Sequence, residues 1–509
     1  MIIIIPLFIY FLIPIPLLIT HRAHIKIGYQ WFIALTSAFL AWILLLISYF
    51  RLPIRVNLPS WQFNYGLGDI PSLLLDSTSW PYAIAVATIV LAVMLTDVVG
   101  MDRVTSRAWA SDLSLAGFGL VAILAPSPMI LLPAWVALDF IETSILLRLV
   151  SNSHQRERVI VSLFIRLIGI FIMLLAVLRT RFLGLAFTFD AIPPVVASYI
   201  MLAAGARLGV MPPHQAFLEE PRMRRGLGTI LRLIPVAASL VLLTRAAEVG
   251  APITWTPYLI AAAVVAALYG STSWARAKNE LNGRPHWILG VSTLAFIAAV
   301  VADPIASLAW GIGLLFSGSI LFLMSYRVPK LLFPGILGLI CISALPFSPS
   351  WGGMGFYQSI PWILQIPFLL SQIFLVLGYI RFAGHAPKPE HQLEPWAWII
   401  YPLGLTLLPI VHFWVGWVSR PSAYAAFNLL SLKWWGGALA VGLAFITISL
   451  LYRKLTLPSQ VAPFVQKLLS LEWLYGAFWK LYRMLGKLLA SISLILEGEG
   501  GVLWALILL

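Results

Sequence analysis

The strongest constraint on this chain is the recurrence of apolar runs about 20 residues long, the length an α-helix needs to cross the hydrocarbon core of a bilayer. Such runs follow one another from Ile2 to Tyr452 with short polar interruptions. Inside a bilayer no water is present to satisfy backbone N–H and C=O groups. Each run must therefore satisfy its own, as a helix rather than as a barrel strand. The chain reads as an all-α polytopic membrane protein of about 14–15 transmembrane helices. Spans are expected at 2–20, 29–50, 80–99, 113–124, 129–149, 159–178, 193–211, 227–247, 257–270, 286–301, 305–326, 331–347, 360–382, 396–418 and 434–452. Met1–Thr20 lacks a basic leader and a small-residue cleavage site, so it reads as the first span rather than a signal peptide. A polar-aromatic loop is expected between the second and third spans.

Composition agrees. Of 509 residues, 61% are hydrophobic and 10% charged, where a soluble domain carries about 25% charge. The net charge of +14 lies between spans, where it sets orientation and meets anionic lipid. It does not imply a nucleic-acid partner. Loops after odd-numbered spans hold Arg22/Lys26, Arg103/Arg107, Arg156/Arg158, Arg222/Arg224/Arg225, Arg276/Lys278/Arg284, Arg327/Lys330, Lys388 and Arg453/Lys454. Most of the others are poorer in charge, Arg51/Arg55 and Arg179/Arg181 being the exceptions. The positive-inside bias therefore predicts an N-terminus outside the cell (inner) membrane and odd-span exits in the cytoplasm. Cys341 reads as a small buried hydrophobe. From 458 to 500 the chain turns amphipathic. Lys480, Arg483 and Lys487 recur at helical spacing beside Trp473 and Phe478, as expected of a helix lying on the inner leaflet. The final run, Val502–Leu509, is too short to span; it is expected either to continue in a longer chain or to pack on a partner.

Charges inside spans are the functional candidates, because burying them in lipid is costly. Asp139 and Glu142, three residues apart in the fifth span, share a helix face and lie about 9–14 Å from its inner end. They suit a proton path; the alternative is structural pairing with Arg148 or with Arg166 of the sixth span. Arg207 and Arg232 stand about 6–9 Å from the inner ends of their spans, a distance over which arginine can also snorkel to water. Pro235 removes an amide from the eighth span beside Arg232. His214 follows Pro212 and Pro213 where the seventh span breaks, and imidazole exchanges protons near neutral pH. It is a relay candidate or a loop histidine, as His412 is a relay candidate or a packed one. Glu219 and Glu220 read as a solvated cluster with Arg222–Arg225. No phosphate-binding loop, metal-ligand spacing, paired haem histidines or Ser/His/Asp arrangement stands out. No metal, cofactor or redox chemistry is expected of this chain itself.

The stretch Arg207-Leu-Gly-Val-Met-Pro212-Pro213-His214-Gln-Ala-Phe-Leu-Glu-Glu resembles the antiporter-like membrane subunits of respiratory NADH:quinone oxidoreductase (complex I) and of Mrp-type cation/proton antiporters. That family has a mid-span lysine, then Pro, one residue and His. Arg232 matches the lysine of the family's next span, and Ala-Leu-Asp139-Phe-Ile-Glu142 matches the glutamate of its fifth. The resemblance covers roughly residues 80–420. It implies an antiporter-like fold with two inverted five-helix repeats, each with a half-channel at a broken helix. The units would be N-terminal spans at 1–110, repeats at 111–250 and 251–385, C-terminal spans at 386–457, and the amphipathic helix with its tail at 458–509. Asp139, Glu142, Arg166, Arg207, His214 and Arg232 would then line a proton or ion path. The partners would be other membrane subunits, with any NADH:quinone chemistry on partner chains.

The sequence also departs from the family. Arginine replaces both lysines, and unlike a buried lysine it does not release its proton. In the second repeat, Leu345-Pro-Phe-Ser-Pro-Ser-Trp-Gly-Gly-Met-Gly-Phe resembles the family's break, but the lysine expected after it is absent. Two other readings stay open: a structural paralogue that does not conduct, and an independent secondary transporter.

Overall fold

A computed structural model describes residues 2–58, 71–150, 153–213, 223–326, 332–384, 394–418, 442, 446 and 472–497. The described residues form a bundle of helices. Helices α1 (Ile4–Leu12) and α2 (Pro14–Arg22) form one span interrupted at Ile13–Pro14. There follow α3 (Ile27–Ser48), α4 (Ser79–Thr96), α5 (Ser106–Ile123), α6 (Pro128–Leu149), α7 (Ser153–Phe182), α8 (Pro194–Leu208) and α9 (Arg225–Ala246). The second half holds α10 (Thr256–Arg276), α11 (Glu280–Val300), α12 (Pro304–Leu323), α13 (Leu332–Ile342), α14 (Trp362–Gly384) and α15 (Ala397–Val418). An amphipathic α16 (Glu472–Glu497) comes last.

Among the described residues, ten helices are long and apolar enough to cross a membrane. The chain is a multi-pass membrane protein. Helices α5 and α11 are of similar length, and their charged residues Asp112, Glu280 and Arg284 are buried in the protein. Every predicted span up to 418 is matched by a helix; the one expected at 434–452 lies outside the described residues, apart from two isolated positions. The predicted loop after α3 contains a two-stranded antiparallel sheet, β1 (Ile54–Asn57) and β2 (Ser72–Leu75), in register Ile54↔Leu75. Its inner strand is anchored by Leu74 N–H to Leu124 O at 2.8 Å.

Two sets of five consecutive helices pack alike. In α5–α9 each helix packs on the next and α9 returns to α5; in α10–α14 each packs on the next and α14 returns to α10. Five crossings are an odd number, so the second unit begins on the face opposite the first. The fourth helix of each is short: α8 has 15 residues and α13 has 11. At 1.5 Å per residue these reach about 22 and 16 Å, less than the roughly 30 Å of a hydrocarbon core. The units meet where α9 packs on α12 and α11. Helix α4, every residue of which is buried, fills the centre with them. Apolar side chains face outward on the peripheral helices, among them Phe140, Phe171, Leu178, Phe333 and Ile399. That is the expected surface of a protein whose solvent is lipid.

Helix α7 has 30 residues, about 45 Å, and outlasts the hydrocarbon core. Its first turns meet α16, where Phe164 packs edge-on to Tyr482 and Arg483 reaches Glu157 at 3.8 Å. Most of the described side chains of α16, including Leu481, Met484, Leu488 and Leu489, remain exposed.

Without a hydrophobic force between helices in lipid, close approach of small residues matters. Gly270 of α10 lies against Gly290 of α11 so tightly that a Cβ on Gly270 would stand 2.7 Å from the Gly290 amide nitrogen. Gly270→Leu should cost about 1–3 kcal/mol, read as a lower thermal midpoint of the purified protein in lipid nanodiscs. Gly28→Leu, where a Cβ meets nothing within 4 Å, should change stability by less than about 0.5 kcal/mol.

Candidate functional site

The charged residues predicted inside spans come together. Asp139 and Glu142 stand on one face of α6 and are each 1% exposed. Helix α7 brings Arg166, α8 brings Arg207 and α9 brings Arg232, at 4%, 2% and 1% exposure. Arg207 grips Asp139 with two parallel bonds, Nη1 to Oδ2 at 2.6 Å and Nη2 to Oδ1 at 2.7 Å. Arg166 holds Glu142 through both terminal nitrogens, Nη2 to Oε1 at 2.9 Å and Nη1 to Oε2. The same Nη1 lies 3.5 Å from Asp139 Oδ1. Arg232 Nη1 reaches Glu142 Oε1 at 2.9 Å. Four helices thus meet in one continuous ion-pair network, Arg207–Asp139–Arg166–Glu142–Arg232. Among the described residues the network holds three arginines and two carboxylates.

Local sequence makes this possible. On α6 the spacing of three aligns the two acids. Asp139 is the twelfth of the 22 residues of α6, close to mid-depth. Helix α8 ends at Leu208 because Gly209 takes a left-handed conformation, φ 83°, which glycine adopts without steric cost. The amides of Val210 and Met211 then return to Gly205 O at 2.8 and 3.2 Å. Arg207 therefore sits in the last turn of a helix that stops inside the bundle, where the negative end of the helix dipole favours a cation. Its guanidinium lies over the Trp135 ring, 4.3 Å from the centroid. Its aliphatic stem packs on Gly169 of α7, where a Cβ would stand 2.9 Å from both Arg207 Cγ and Ala203 O.

Arg207 and Arg232 do not snorkel; acids on a neighbouring helix hold them in the interior. Of the two arginines considered as structural partners for the α6 acids, Arg166 pairs with them, whereas Arg148 is exposed. His214 lies outside the described residues, as do Glu219, Glu220 and Arg222. His412 of α15 is buried away from the network, stacked on Phe316 of α12 at 5.2 Å. Cys341 is buried, as expected of a small hydrophobe. A cleft of about 530 Å³ opens near Ser127, Thr180 and Phe187; no member of the network lines it.

Sequence reasoning did not pair the flanking charges. Helix α9 carries an engaged arginine at each end as well as at Arg232. Arg224, at its start, bridges Asp97 and Asp112 at 3.1 and 2.9 Å. Arg245, in its last turn, pairs with Asp76 at 3.0 Å and donates to Phe189 O at 3.4 Å. The adjacent Arg225 reaches Glu280 of α11 at 2.8 Å. The signal was the recurrence of arginine along a single apolar run, read position by position rather than as a set.

No protein-family model and no curated protein matches the sequence. Solved structures do match. A chain of the membrane-bound sulfane sulfur reductase, an archaeal respiratory membrane complex, superposes with a TM-score of 0.70 at 15% identity, covering 99% of this chain and 98% of that one. A chain of the Mrp complex from a Dietzia species gives 0.64 at 14%, covering 99% of this chain but 62% of that longer one. A chain of respiratory complex I from Thermus thermophilus gives 0.64 at 17%, covering 87% and 100%. The fold is the antiporter-like fold that the sequence motif implied.

Breaking a buried pair on one side strands the other charge, at about 3–5 kcal/mol. Asp139→Asn, which leaves Arg207 facing a neutral amide, should lower thermal stability by that order in nanodiscs. Replacing both partners, Asp139→Asn with Arg207→Met, should recover more than half of the loss.

Proposed function

We propose that this chain is a membrane subunit of a multi-subunit assembly of the complex I or Mrp kind, and that its buried charge network takes part in proton or sodium translocation. The observation that carries this is the network itself. Five charges from four helices are closed into a single chain of ion pairs beside a helix that stops inside the bundle. Helices that need only to pack in lipid can do so with small apolar residues, whereas intramembrane charge marks an ion pathway by default.

Arginine keeps its proton, so Asp139 and Glu142 are the members of the network that can exchange one. Each is paired with two arginines. Protonating either requires its guanidinium to move away. Arg166 is the movable element, since its Nη1 already touches both acids. A cation arriving near Glu142 drives Arg166 toward Asp139 and loosens Arg207 in turn. Charge moves as a rearrangement of pairs beside the end of α8 at Gly209. Peripheral subunits would supply the energy that biases it.

A non-conducting structural role has one observation in its favour. In the second unit, the buried charges among the described residues are Glu280 and Arg284, with His286 beside them, all in the first two turns of α11. The middles of α12 and α14 offer serines and Gln372.

Two experiments separate these readings. Gentle solubilisation from native membranes, followed by mass spectrometry, should recover other multi-span subunits with the chain; a chain that emerges alone argues for an independent transporter. The charge-conserving double variant Glu142→Gln/Arg232→Gln should then cut ion flux by the assembly at least about tenfold, equivalent to about 1.4 kcal/mol of barrier. Assembly with unchanged flux would establish the structural role instead.

A further inference from the structure

A second charge cluster, separate from the central network, lies where α4 ends and α5 and α9 begin. Asp97 closes α4 and Asp112 stands in the second turn of α5; they are 8% and 0% exposed. A single nitrogen serves both: Arg224 Nη2 lies 3.1 Å from Asp97 Oδ2 and 2.9 Å from Asp112 Oδ2. Trp109 donates its indole N–H to Asp97 Oδ2 at 3.0 Å. The close approach depends on Gly226, where a Cβ would come within 2.7 Å of Asp97 Oδ1. The remaining oxygen of the cluster's deepest acid, Asp112 Oδ1, is shut off from solvent and has no hydrogen-bond partner.

The other described charges nearby are turned elsewhere. Arg225 pairs with Glu280, and Arg232 pairs with Glu142. Arg107, on the same helix as Asp112, is exposed. Helix α2, packed on α5, carries His21, which is half-buried, and Arg22, which is exposed. Helix α15, packed against the turn after α4, carries no charged residue and one titratable imidazole, that of His412, which stacks on Phe316. Among the described side chains, the cluster thus holds two carboxylates and one cation.

With both acids ionised, the described side chains would leave one negative charge buried without compensation. Their oxygens share a nitrogen and so lie within about 6 Å of each other, a range at which like charges oppose joint ionisation and two carboxyl groups titrate as a pair. We propose that Asp97 and Asp112 hold one proton between them, placed on Asp112 Oδ1, and that the pair loads protons from the water phase at this end of the bundle. The loading role rests on the translocation reading; the shared proton does not. Arg224, 21% exposed, has the most exposed side chain of the cluster, although its Nε and Nη1 are buried without a hydrogen-bond partner. With Arg224 swung aside, a hydronium ion gives its proton to the Asp112 carboxylate, an O–H bond forms and water departs. Asp97 stays ionised against Arg224 and Trp109. Arg224 and Arg232 belong to one stretch of chain, about 12 Å apart along its axis, so a change at the first is felt at the second through a rigid helix.

The test is infrared titration of the full chain in lipid, following the carbonyl stretch of protonated carboxylic acid. At pH 7 a free aspartate, with a pKa of about 3.9, is ionised. The wild-type protein should nevertheless show one carboxylic acid band. Asp112→Asn should abolish it, and so should Asp97→Asn, which leaves Asp112 alone with Arg224. Asp112→Glu should keep a band at a shifted frequency, and Glu142→Gln/Arg232→Gln should leave the wild-type band in place. Absence of the band in the wild type, or its survival in both Asn variants, overturns the shared proton. The band is read at equilibrium and does not depend on transport. If it behaves as expected while Asp112→Asn leaves the flux of a conducting assembly unchanged, the loading role is overturned.

Discussion

Arg166 touches two carboxylates one helical turn apart, and the interior of the first unit depends on that shared contact. Asp139 alone would be balanced by Arg207, and Glu142 alone by Arg232. The extra guanidinium between them makes two pairs into one network. Each of these ions would be expensive in lipid by itself. Together they hold α6, α7, α8 and α9 at fixed distances, because a guanidinium fork accepts a carboxylate in few geometries. Packing of small residues then follows: Gly169 lets α7 approach α8, and Gly119 of α5 lies against Ile234 of α9. Helix register in this half of the molecule is set by charge and filled in by shape.

The second unit repeats the ring of five helices with different interior chemistry. Its tight contacts are between backbones and aromatics: Gly270 on Gly290, Gly378 on the Trp274 indole, and Trp274 in turn beside Trp287 and Phe382. Trp274 donates to Leu375 O and Trp287 to Leu314 O, at 3.0 and 3.2 Å. The two halves share a topology while one is held by ion pairs and the other by interlocked rings.

Much of this could be read from the sequence, for physical reasons. Spans declare themselves because lipid allows no other way to satisfy the backbone. The break after α8 was visible in Gly209 and the prolines that follow it. Asp139, Glu142, Arg166, Arg207 and Arg232 were conspicuous because each is a charge in an apolar run. Their pairing was not visible, since which acid faces which arginine depends on how helices far apart in sequence pack. Asp97 and Asp112 escaped notice for a different reason. Both lie near helix ends, where a charge ordinarily meets water, and their burial appears only once α9 is seen to close over them through Gly226. The small β-sheet was hidden because Ile54–Asn57 and Ser72–Leu75 are too short, and too far apart, to signal pairing on their own.

Gly169 has a consequence for which cation can stand at position 207. Beside the Ala203 carbonyl, the atoms that press on it are Cγ and Cδ of the side chain, and lysine has both. The groove between α7 and α8 therefore admits either residue and would exclude both if position 169 gained a methyl group. What distinguishes the two lies at the far end of the side chain: a two-pronged carboxylate and a flat indole, which suit a planar guanidinium better than a compact ammonium. Position 169 decides whether a long cation fits, and Trp135 with Asp139 decides which one. A chain of this fold could thus move between a cation that releases its proton and one that keeps it by altering α6 and residue 207, without rebuilding the helix crossing that holds them.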